Sequence, residues 1–300
     1  MLSIWTRSSI RSFVGNIIVA IFMGFMVLWS SAGKCDAFCE QSKVLKLLEL
    51  WAPKDVLGGV LERIGNPNGG GGYIMLHEFP DGSVCYSFGI PIDNSWNTCI
   101  SEKNVDVFLF DNFPNECFSS SRIRSNNGGN TNSELKKLLQ LMKQNGHENE
   151  QFMILKVDIG GAEWDILANI PTEIMMHFNQ MIIIFYDVHH VDNPPIQQKM
   201  VRVLEKINTT HQAVHVHGDN SAECKIVSGV LLPDVLEVTY VRKAGHDFEG
   251  TAKWLPVEGL DKANDSRKAD LCLGSWGVLN AKKREMDGRY GEDEMVTCEF

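Results

Sequence analysis

The sequence lacks features that several functional classes require. Its 28 lysines and arginines are outnumbered by 38 aspartates and glutamates, which gives a net charge of −10. Such an acidic chain is a poor match for nucleic acid, so we expect no nucleic-acid partner. Eight cysteines in 300 residues are too few for a small disulfide scaffold. The closest pair, Cys35 and Cys39, has no second pair or histidine partner to complete a zinc site, and no metal centre is predicted.

Two nucleotide-binding motifs are also missing. The four glycines at 69–72 are not followed by the Lys-Ser/Thr of a phosphate-binding loop, and no strand is predicted before them. We interpret them as a flexible loop. The turn at 89–94 reads GIPIDN and lacks the GxGxxG fingerprint of dinucleotide-binding folds. A nicotinamide- or flavin-dependent oxidoreductase is therefore disfavoured.

Charge is absent from the 22 residues between Arg11 and Lys34, whose apolar core is 17–29. At ~1.5 Å per residue, a helix of this length spans roughly 33 Å, enough to cross a bilayer. Arg7 and Arg11 precede it, which favours a cytosolic N-terminus. Two interpretations stay open: a signal anchor that remains as a single-pass span, or a cleaved signal peptide with small residues at 30–33. A buried core helix is disfavoured because the segment has no polar face.

Either interpretation places the rest of the chain on the secretory side. We expect a single-pass membrane protein with a luminal or extracellular domain, or alternatively a secreted protein. Two N-glycosylation sequons, beginning at Asn208 and Asn264, agree with a glycoprotein. Disulfides are possible in that compartment, although the sequence does not give their connectivity.

Apolar patterning divides the chain into four parts: a targeting segment at 1–35, a helical lead-in and glycine-rich loop at 36–72, a Rossmann-like domain at 73–245 and an irregular acidic tail at 246–300. In the lead-in, two helical stripes over 40–64 are interrupted by Pro53. The tail is expected to be loosely ordered, with docking possible through Trp254, Leu255, Leu271, Leu273 and Trp276.

The third part alternates short apolar runs with amphipathic stretches. The runs are rich in β-branched and aromatic residues and predict strands at 84–88, 105–110, 152–157, 181–186, 213–217 and 235–242. Helical spacing predicts helices at 133–144 and 195–207. This alternation predicts an α/β fold with a mostly parallel sheet covered on both faces. The last two strands have only a loop between them, which predicts a C-terminal antiparallel hairpin at one sheet edge.

Candidate functional residues stand directly after the predicted strands. In an open α/β sheet, ligands bind at the carboxyl ends of the strands. Gly89, Asp111, Asp158 and Asp187 occupy these positions. A glycine there lets the backbone approach a ligand closely, and an acidic residue can accept hydrogen bonds from ribose hydroxyls.

The segment Leu155–Leu167, LKVDIGGAEWDIL, resembles the FkbM-type methyltransferase signature, LKxDIEGAEWxxL. The segments at 86–93, 110–111, 215–220 and 232–243 resemble the methyltransferase-like animal branch of that family, so the resemblance spans roughly 73–243. It implies a class I fold that binds S-adenosylmethionine and catalyses O-methylation. Class I folds of this kind are Rossmann-like.

The resemblance also implies roles for individual residues. Gly89 would line the amino-acid end of S-adenosylmethionine, and Asp111 would hold its ribose. Asp158 would end the fourth strand and face the methyl group. Glu163 would order the start of the following helix, where a carboxylate suits the positive end of the helix dipole, or would be purely structural.

Three positions depart from the family pattern. Gly160 stands where the family usually has glutamate, and Ile184 and Tyr186 replace the glutamate and histidine of an IEFH pattern. Either lost group would suit a general base near the acceptor. The substitutes near strand ends are Asp158, Asp187, His189 and His190. The two histidines could also cap a helix or lie in solvent, and no second ligand cluster supports a metal site around them.

Two functions therefore stay open. The first is a luminal, membrane-anchored methyltransferase that acts on a glycan or a small hydroxylated acceptor. The second is a non-catalytic descendant that has lost its acceptor-site residues and is kept as a membrane or secreted protein.

Overall fold

A computed structural model describes residues 43–89, 93–110, 121–125, 137–250 and 253–276. The predicted membrane segment and Asp111 lie outside these ranges, so the predictions made for them are not addressed by the structure. Within the described ranges, no helix has both the length and the apolar character needed to cross a bilayer.

The described part of the chain contains thirteen strands and six α-helices. The strands are β1 (Lys54–Val56), β2 (Leu61–Gly65), β3 (Gly72–Leu76), β4 (Val84–Gly89), β5 (Asp106–Phe110), β6 (Ile123–Ser125), β7 (Met153–Asp158), β8 (Phe178–Phe185), β9 (His211–Gly218), β10 (Cys224–Val227), β11 (Val230–Pro233), β12 (Leu236–Arg242) and β13 (Phe248–Gly250). The helices are α1 (43–51), α2 (Ser95–Glu102), α3 (Leu138–Gln144), α4 (Glu163–Asn169), α5 (Thr172–Met175) and α6 (Pro194–Thr210).

Seven strands form the central sheet, in the order β6-β5-β4-β7-β8-β12-β9. All neighbouring strands are parallel except β12, which runs antiparallel to both β8 and β9. β4 and β8 are buried over their whole length, as expected of strands covered on both faces. The predicted Rossmann-like, mostly parallel sheet is therefore confirmed. So is the antiparallel β9–β12 hairpin, although a small β10–β11 hairpin stands in place of the expected loop.

One face of the sheet, the helical face, is packed by helices. An aromatic group joins three elements there: the ring centroids of Trp51 and Trp164 lie 6.0 Å apart, and those of Trp164 and Phe185 lie 4.5 Å apart. Met200, Leu204 and further residues of α6 are also buried in this core. Burial of such large apolar side chains is the main favourable term in the folding of the domain.

The opposite face, the hairpin face, is covered differently, by α2 and the antiparallel β2–β3 hairpin. The Gln180 side chain of β8 pairs with both backbone groups of Leu76 in β3, at 3.0 and 2.9 Å. The Thr239 hydroxyl of β12 donates to the carbonyl of Ile74 at 2.6 Å. Buried polar groups of the sheet are thus satisfied by the backbone of the hairpin.

The prediction of a second helix in the lead-in is wrong, because residues 54–56 and 61–65 form strands. α1 ends at Trp51, and Pro53 follows it. The glycine run closes the turn between β2 and β3, where Gly65 and Gly71 have φ angles of +101° and +84°. The Arg63 guanidinium donates to the carbonyls of Asn66 and Gly69, which ties this turn together.

Part of the tail packs against the sheet, through apolar residues for which docking was considered possible. Leu255 and Trp276 are only 2% and 4% exposed, whereas Trp254 is largely exposed. We call the described residues 253–276 the C-terminal segment. It covers the β9 and β12 end of the hairpin face through polar contacts described below.

Candidate functional site

The carboxyl ends of the parallel strands meet at one edge of the sheet, which we call the carboxyl edge. β9 is parallel to β8 because both run antiparallel to β12. The ends of β4, β7, β8 and β9 therefore place Gly89, Asp158, Asp187 and Asp219 at the same edge. Sequence reasoning found the first three. It missed Asp219, although the same strand-end rule identifies it.

Gly89 is required by the approach of the neighbouring strand. Its φ angle is +121°, and it pairs with Asp158 in the parallel register of β4 and β7. A Cβ atom added there would lie 1.7 Å from the Asp158 carbonyl oxygen. Backbone packing alone thus accounts for this glycine. Its role in lining the cofactor stays a prediction.

Asp158 is held from two sides. The Tyr186 hydroxyl donates to Asp158 Oδ1 at 3.0 Å, and Lys156 Nζ lies 3.4 Å from Oδ2. The Lys156 side chain is 4% exposed and that of Asp158 is 19% exposed, so the carboxylate is the outward end of this ion pair. Burial and the adjacent Asp158 carboxylate raise the pKa of Tyr186, which keeps its hydroxyl protonated as a donor.

Asp187 lies in a different environment. It has a left-handed backbone with φ of +60°, and its side chain is 55% exposed. Asp187 Oδ2 lies against Gly161, since a Cβ atom on that glycine would be 3.3 Å away. His190 Nδ1 is 3.8 Å from Asp187 Oδ1. Asp187 is therefore an accessible carboxylate at the carboxyl edge with weaker polar restraints than Asp158.

Glu163 orders the loop that follows β7. Its buried carboxylate accepts hydrogen bonds from the backbone N–H groups of Ile159 and Gly161, each at 2.8 Å. Burial raises the pKa of Glu163 to about 7, although these hydrogen bonds oppose the shift. Gly160 has φ of +67° with open space where a side chain would stand. The loop conformation thus disfavours the family's glutamate through the backbone rather than through crowding.

His189 is buried in the 3₁₀ turn Val188–Asp192. Its Nδ1 lies 2.6 Å from Asp234 Oδ1, and its ring centroid is 4.2 Å from that of His190. The backbone N–H of Val188 donates to the carbonyl of Asp234 at 3.0 Å, which ties the turn to the segment between β11 and β12. The structure therefore places two of the candidate catalytic residues, His189 and Asp158, in separate polar groups.

A cluster that sequence reasoning missed lies where the C-terminal segment meets β9 and β12. We call His215, His217, Glu237, Asp261 and Asp270 the polar lock. His217 Nδ1 lies 3.3 Å from Glu237 Oε2, and its Nε2 lies 3.1 Å from both oxygens of Asp270. Burial lowers the pKa of His217, but the hydrogen bonds that its ring donates to Asp270 and Glu237 outweigh this effect and raise the pKa to about 10. His217 is therefore an imidazolium that donates from both nitrogens.

The other half of the polar lock joins His215 to Asp261. His215 Nε2 lies 3.0 Å from Asp261 Oδ2, which also accepts the backbone N–H of Val257 at 2.6 Å. Burial raises the pKa of Asp261, but His215 outweighs it and lowers the pKa overall. Asp261 and Asp270 both belong to the C-terminal segment, so the lock fastens that segment to the sheet.

Both sequon asparagines are engaged in the fold. Asn208 Nδ2 donates to the carbonyl of Leu50 at 2.8 Å, and Asn264 Nδ2 donates to Glu237 Oε1 at 2.8 Å. A glycan on either nitrogen would replace one of its two hydrogens and would lie next to these contacts. The glycoprotein prediction thus gains no support from the folded chain. Within the described ranges, no cluster of three histidine, cysteine or acidic side chains forms a candidate metal site.

No protein-family model and no curated protein matches the chain. Three of the solved structures that resemble the chain illustrate how weak the likeness is. A fibrillarin pre-rRNA processing protein of Methanococcus jannaschii shares 12% identity at a TM-score of 0.32, over 64% of this chain and 88% of that one. A predicted O-methyltransferase of Agrobacterium tumefaciens shares 10% identity at a TM-score of 0.32, over 56% of this chain and 76% of that one. A spermidine synthase of Thermotoga maritima shares 12% identity at a TM-score of 0.31, over 77% of this chain and 87% of that one. Such low scores carry no argument, and the Rossmann-like fold rests on the chain's own sheet order.

Proposed function

We propose that the chain is an S-adenosylmethionine-dependent methyltransferase. The observation that carries this proposal is the sheet itself: a mostly parallel sheet in which the antiparallel β12 is inserted before β9, with Asp158 held at the carboxyl edge beside Gly89. This is the arrangement that the sequence resemblance implies, and ligands of open α/β sheets bind at this edge.

The negative charge at the carboxyl edge is complementary to the positive charge of the cofactor. The sulfonium and amino groups of S-adenosylmethionine are cationic, and the edge presents the carboxylates of Asp158, Asp187 and Asp219. When bound, the cofactor supplies an activated methyl group, so the protein's task is to position the acceptor and exclude water. The ribose contact assigned to Asp111 is part of the proposal and lies outside the described residues.

The proposed acceptor is a hydroxyl group of a glycan or of a small molecule. Its proton needs an acceptor during transfer. Of the three proposed catalytic residues, Asp187 has the most exposed carboxylate, Asp158 is held by Tyr186 and Lys156, and His189 is buried against Asp234. We therefore assign the proton-accepting role to Asp187, with Asp158 directed at the methyl donor.

We also propose a luminal or extracellular location, reached through an N-terminal anchor or a cleaved signal peptide. The uncharged 12–33 segment supports it. Cys272 is disulfide-bonded, which suits an oxidising compartment. Protease treatment of intact microsomes tests this location. The Rossmann-like domain should be protected until detergent is added, and digestion without detergent would refute the proposal.

A non-catalytic role is the second candidate. Ile184 is 3% exposed within the core, and the Tyr186 hydroxyl is engaged by Asp158. The two positions where the family carries glutamate and histidine therefore offer no free base. In this case the chain would bind the cofactor or a partner without transferring a methyl group.

Titration calorimetry of the full-length chain in detergent, with S-adenosylhomocysteine as ligand, tests the proposed function. We expect saturable binding, and no heat at millimolar ligand would refute the enzyme proposal. Asp111→Ala should weaken binding by about 1.5–3 kcal/mol, the size of a lost hydrogen bond to a charged group. Asp81→Ala is the matched control, because Asp81 is an exposed turn residue at the opposite edge of the sheet, before β4. Binding without methyl transfer to any hydroxylated acceptor would favour the non-catalytic candidate.

A further inference from the structure

Lys156 is a lysine buried under the β2–β3 hairpin. Its side chain is 4% exposed, and lysine is almost never buried unless it is paired. Nζ lies 5.1 Å from the ring centroid of Tyr73 and 5.8 Å from that of Trp96. These rings stabilise the ammonium by cation–π attraction, but its charged partner is Asp158. An apolar residue at position 156 would continue the core of β7 without that requirement.

The two ends of the Lys156–Asp158 ion pair differ in their exposure to solvent. Lys156 and Asp158 are two residues apart on β7, so their side chains leave the same face of the sheet. The lysine lies on the interior side, under Tyr73 of the hairpin, while the carboxylate stands at the strand end with 19% of its side chain exposed. A cation arriving at the carboxyl edge therefore meets the negative end of the pair first.

Tyr186 fixes the orientation of that negative end. Its hydroxyl donates to Asp158 Oδ1 at 3.0 Å, and its backbone carbonyl accepts the indole N–H of Trp164 at 2.8 Å. The tyrosine is anchored to the core at its backbone and to the carboxylate at its tip. A hydrogen bond to a carboxylate is roughly twice as strong as one between neutral groups, so it holds the Asp158 side chain in place.

We propose that Lys156 and Tyr186 are positioning residues that hold the Asp158 carboxylate aimed at the carboxyl edge, so that the site binds a sulfonium cation in preference to a neutral thioether. The inference rests on the proposed function and deepens it. It gives Tyr186 a role at the position where the family carries histidine. Asp219, which acts electrostatically on Tyr186, adds negative charge at the same edge.

The test is a ratio of affinities. S-adenosylmethionine carries the sulfonium charge, and S-adenosylhomocysteine has a neutral sulfur and lacks only the methyl group. Calorimetric titration of the full-length chain with each ligand gives the ratio of their dissociation constants. Asp158→Asn keeps the side-chain shape and removes the charge, so it should shift the ratio by about tenfold against S-adenosylmethionine. Tyr186→Phe removes one hydrogen bond and should shift the ratio in the same direction by about threefold to tenfold.

The outcomes separate the two proposals. A general loss of packing would weaken the binding of both ligands equally and leave the ratio of their dissociation constants unchanged. Binding of both ligands with the wild-type ratio in Asp158→Asn and Tyr186→Phe would overturn the positioning role while leaving the proposed function intact. If neither ligand bound to the wild-type chain, both proposals would be overturned. Asp81→Asn, at the opposite edge of the sheet, should keep the wild-type ratio. Tyr186→Phe has the same ring, so it also serves if Asp158→Asn does not fold.

Discussion

The strongest prediction of stability concerns His217 in the polar lock. Its pKa is about 10 in the folded chain, against an ordinary value of 6.5. Because the folded value is raised, the stabilising contribution is fully present below pH 6.5 and is lost as the pH rises from there towards 10. The shift of about 3.5 units, at about 1.4 kcal/mol per unit, sets an upper bound of roughly 5 kcal/mol. The side chain is 4% exposed, so solvent screening reduces this figure little.

The perturbation is His217→Gln, which keeps a polar side chain and removes the titratable charge. Urea denaturation followed by tryptophan fluorescence between pH 6 and 10 measures the free energy of unfolding, and Trp276 reports on the C-terminal segment. We expect wild-type stability to fall across this range by several kcal/mol more than that of His217→Gln. The difference between the two curves removes the contributions of other groups that titrate in the same range.

His77→Gln is the control, because the His77 side chain is 62% exposed. It should follow the wild-type curve. Hydrogen exchange at pH 6.5 and 9.5 identifies the part of the chain that responds. The backbone amides of the C-terminal segment should lose protection first, since Asp261 and Asp270 join it to the sheet. Parallel pH curves for wild type and His217→Gln would refute the charged state assigned to His217.

Three further changes test individual residues. Gly89→Ala should destabilise the chain by about 3 kcal/mol or more in urea denaturation, since its Cβ would overlap the Asp158 carbonyl; Gly82→Ala, with φ of +81° but open space, should cost only about 1–2 kcal/mol, and equal losses would contradict the packing argument. Glu163→Gln should abolish the fall in stability, about 3 kcal/mol at most, that the raised pKa of about 7 produces as the pH rises from 4.5 to 7; an unchanged slope would argue against that shift. Asp187→Asn should keep wild-type stability, because asparagine tolerates the left-handed backbone, while methyl transfer falls by about 10²-fold or more; full activity in a transfer assay would remove Asp187 from the reaction.

The central strands were predictable because they are short, continuous apolar runs. The lead-in strands were not, since the apolar residues of 56–64 recur at spacings that fit a helix as well as a strand. The local signal against a helix was the pair Gly58 and Gly59, which lies between β1 and β2. The decisive interactions are tertiary: β1 pairs with β13, almost 200 residues later in the chain, and β2 pairs with β3.

The candidate site was predictable as positions but not as contacts. The strand-end rule identified Gly89, Asp158 and Asp187 from a general property of parallel sheets. It gave no reason to pair Asp158 with Tyr186, which is 28 residues away, or His217 with Asp270, which is 53 residues away. Such pairings depend on which side chains the sheet register brings to one face, and a single sequence does not contain that information.

The hairpin face explains why the C-terminal segment docks on this sheet. β9 and β12 present His217 and Glu237 on that face, where an apolar cover would leave charges buried without sufficient partners. The C-terminal segment supplies complementary polar partners: the Asp270 carboxylate accepts from the imidazolium, and the Asn264 amide donates to Glu237 Oε1. These polar contacts act together with the burial of Leu255 and Trp276 in fixing the segment to the sheet. Asp219, at the end of β9, is half-buried beside this group and acts electrostatically on Tyr186. Release of the segment would therefore change the charge around the carboxyl edge as well as the stability of the fold.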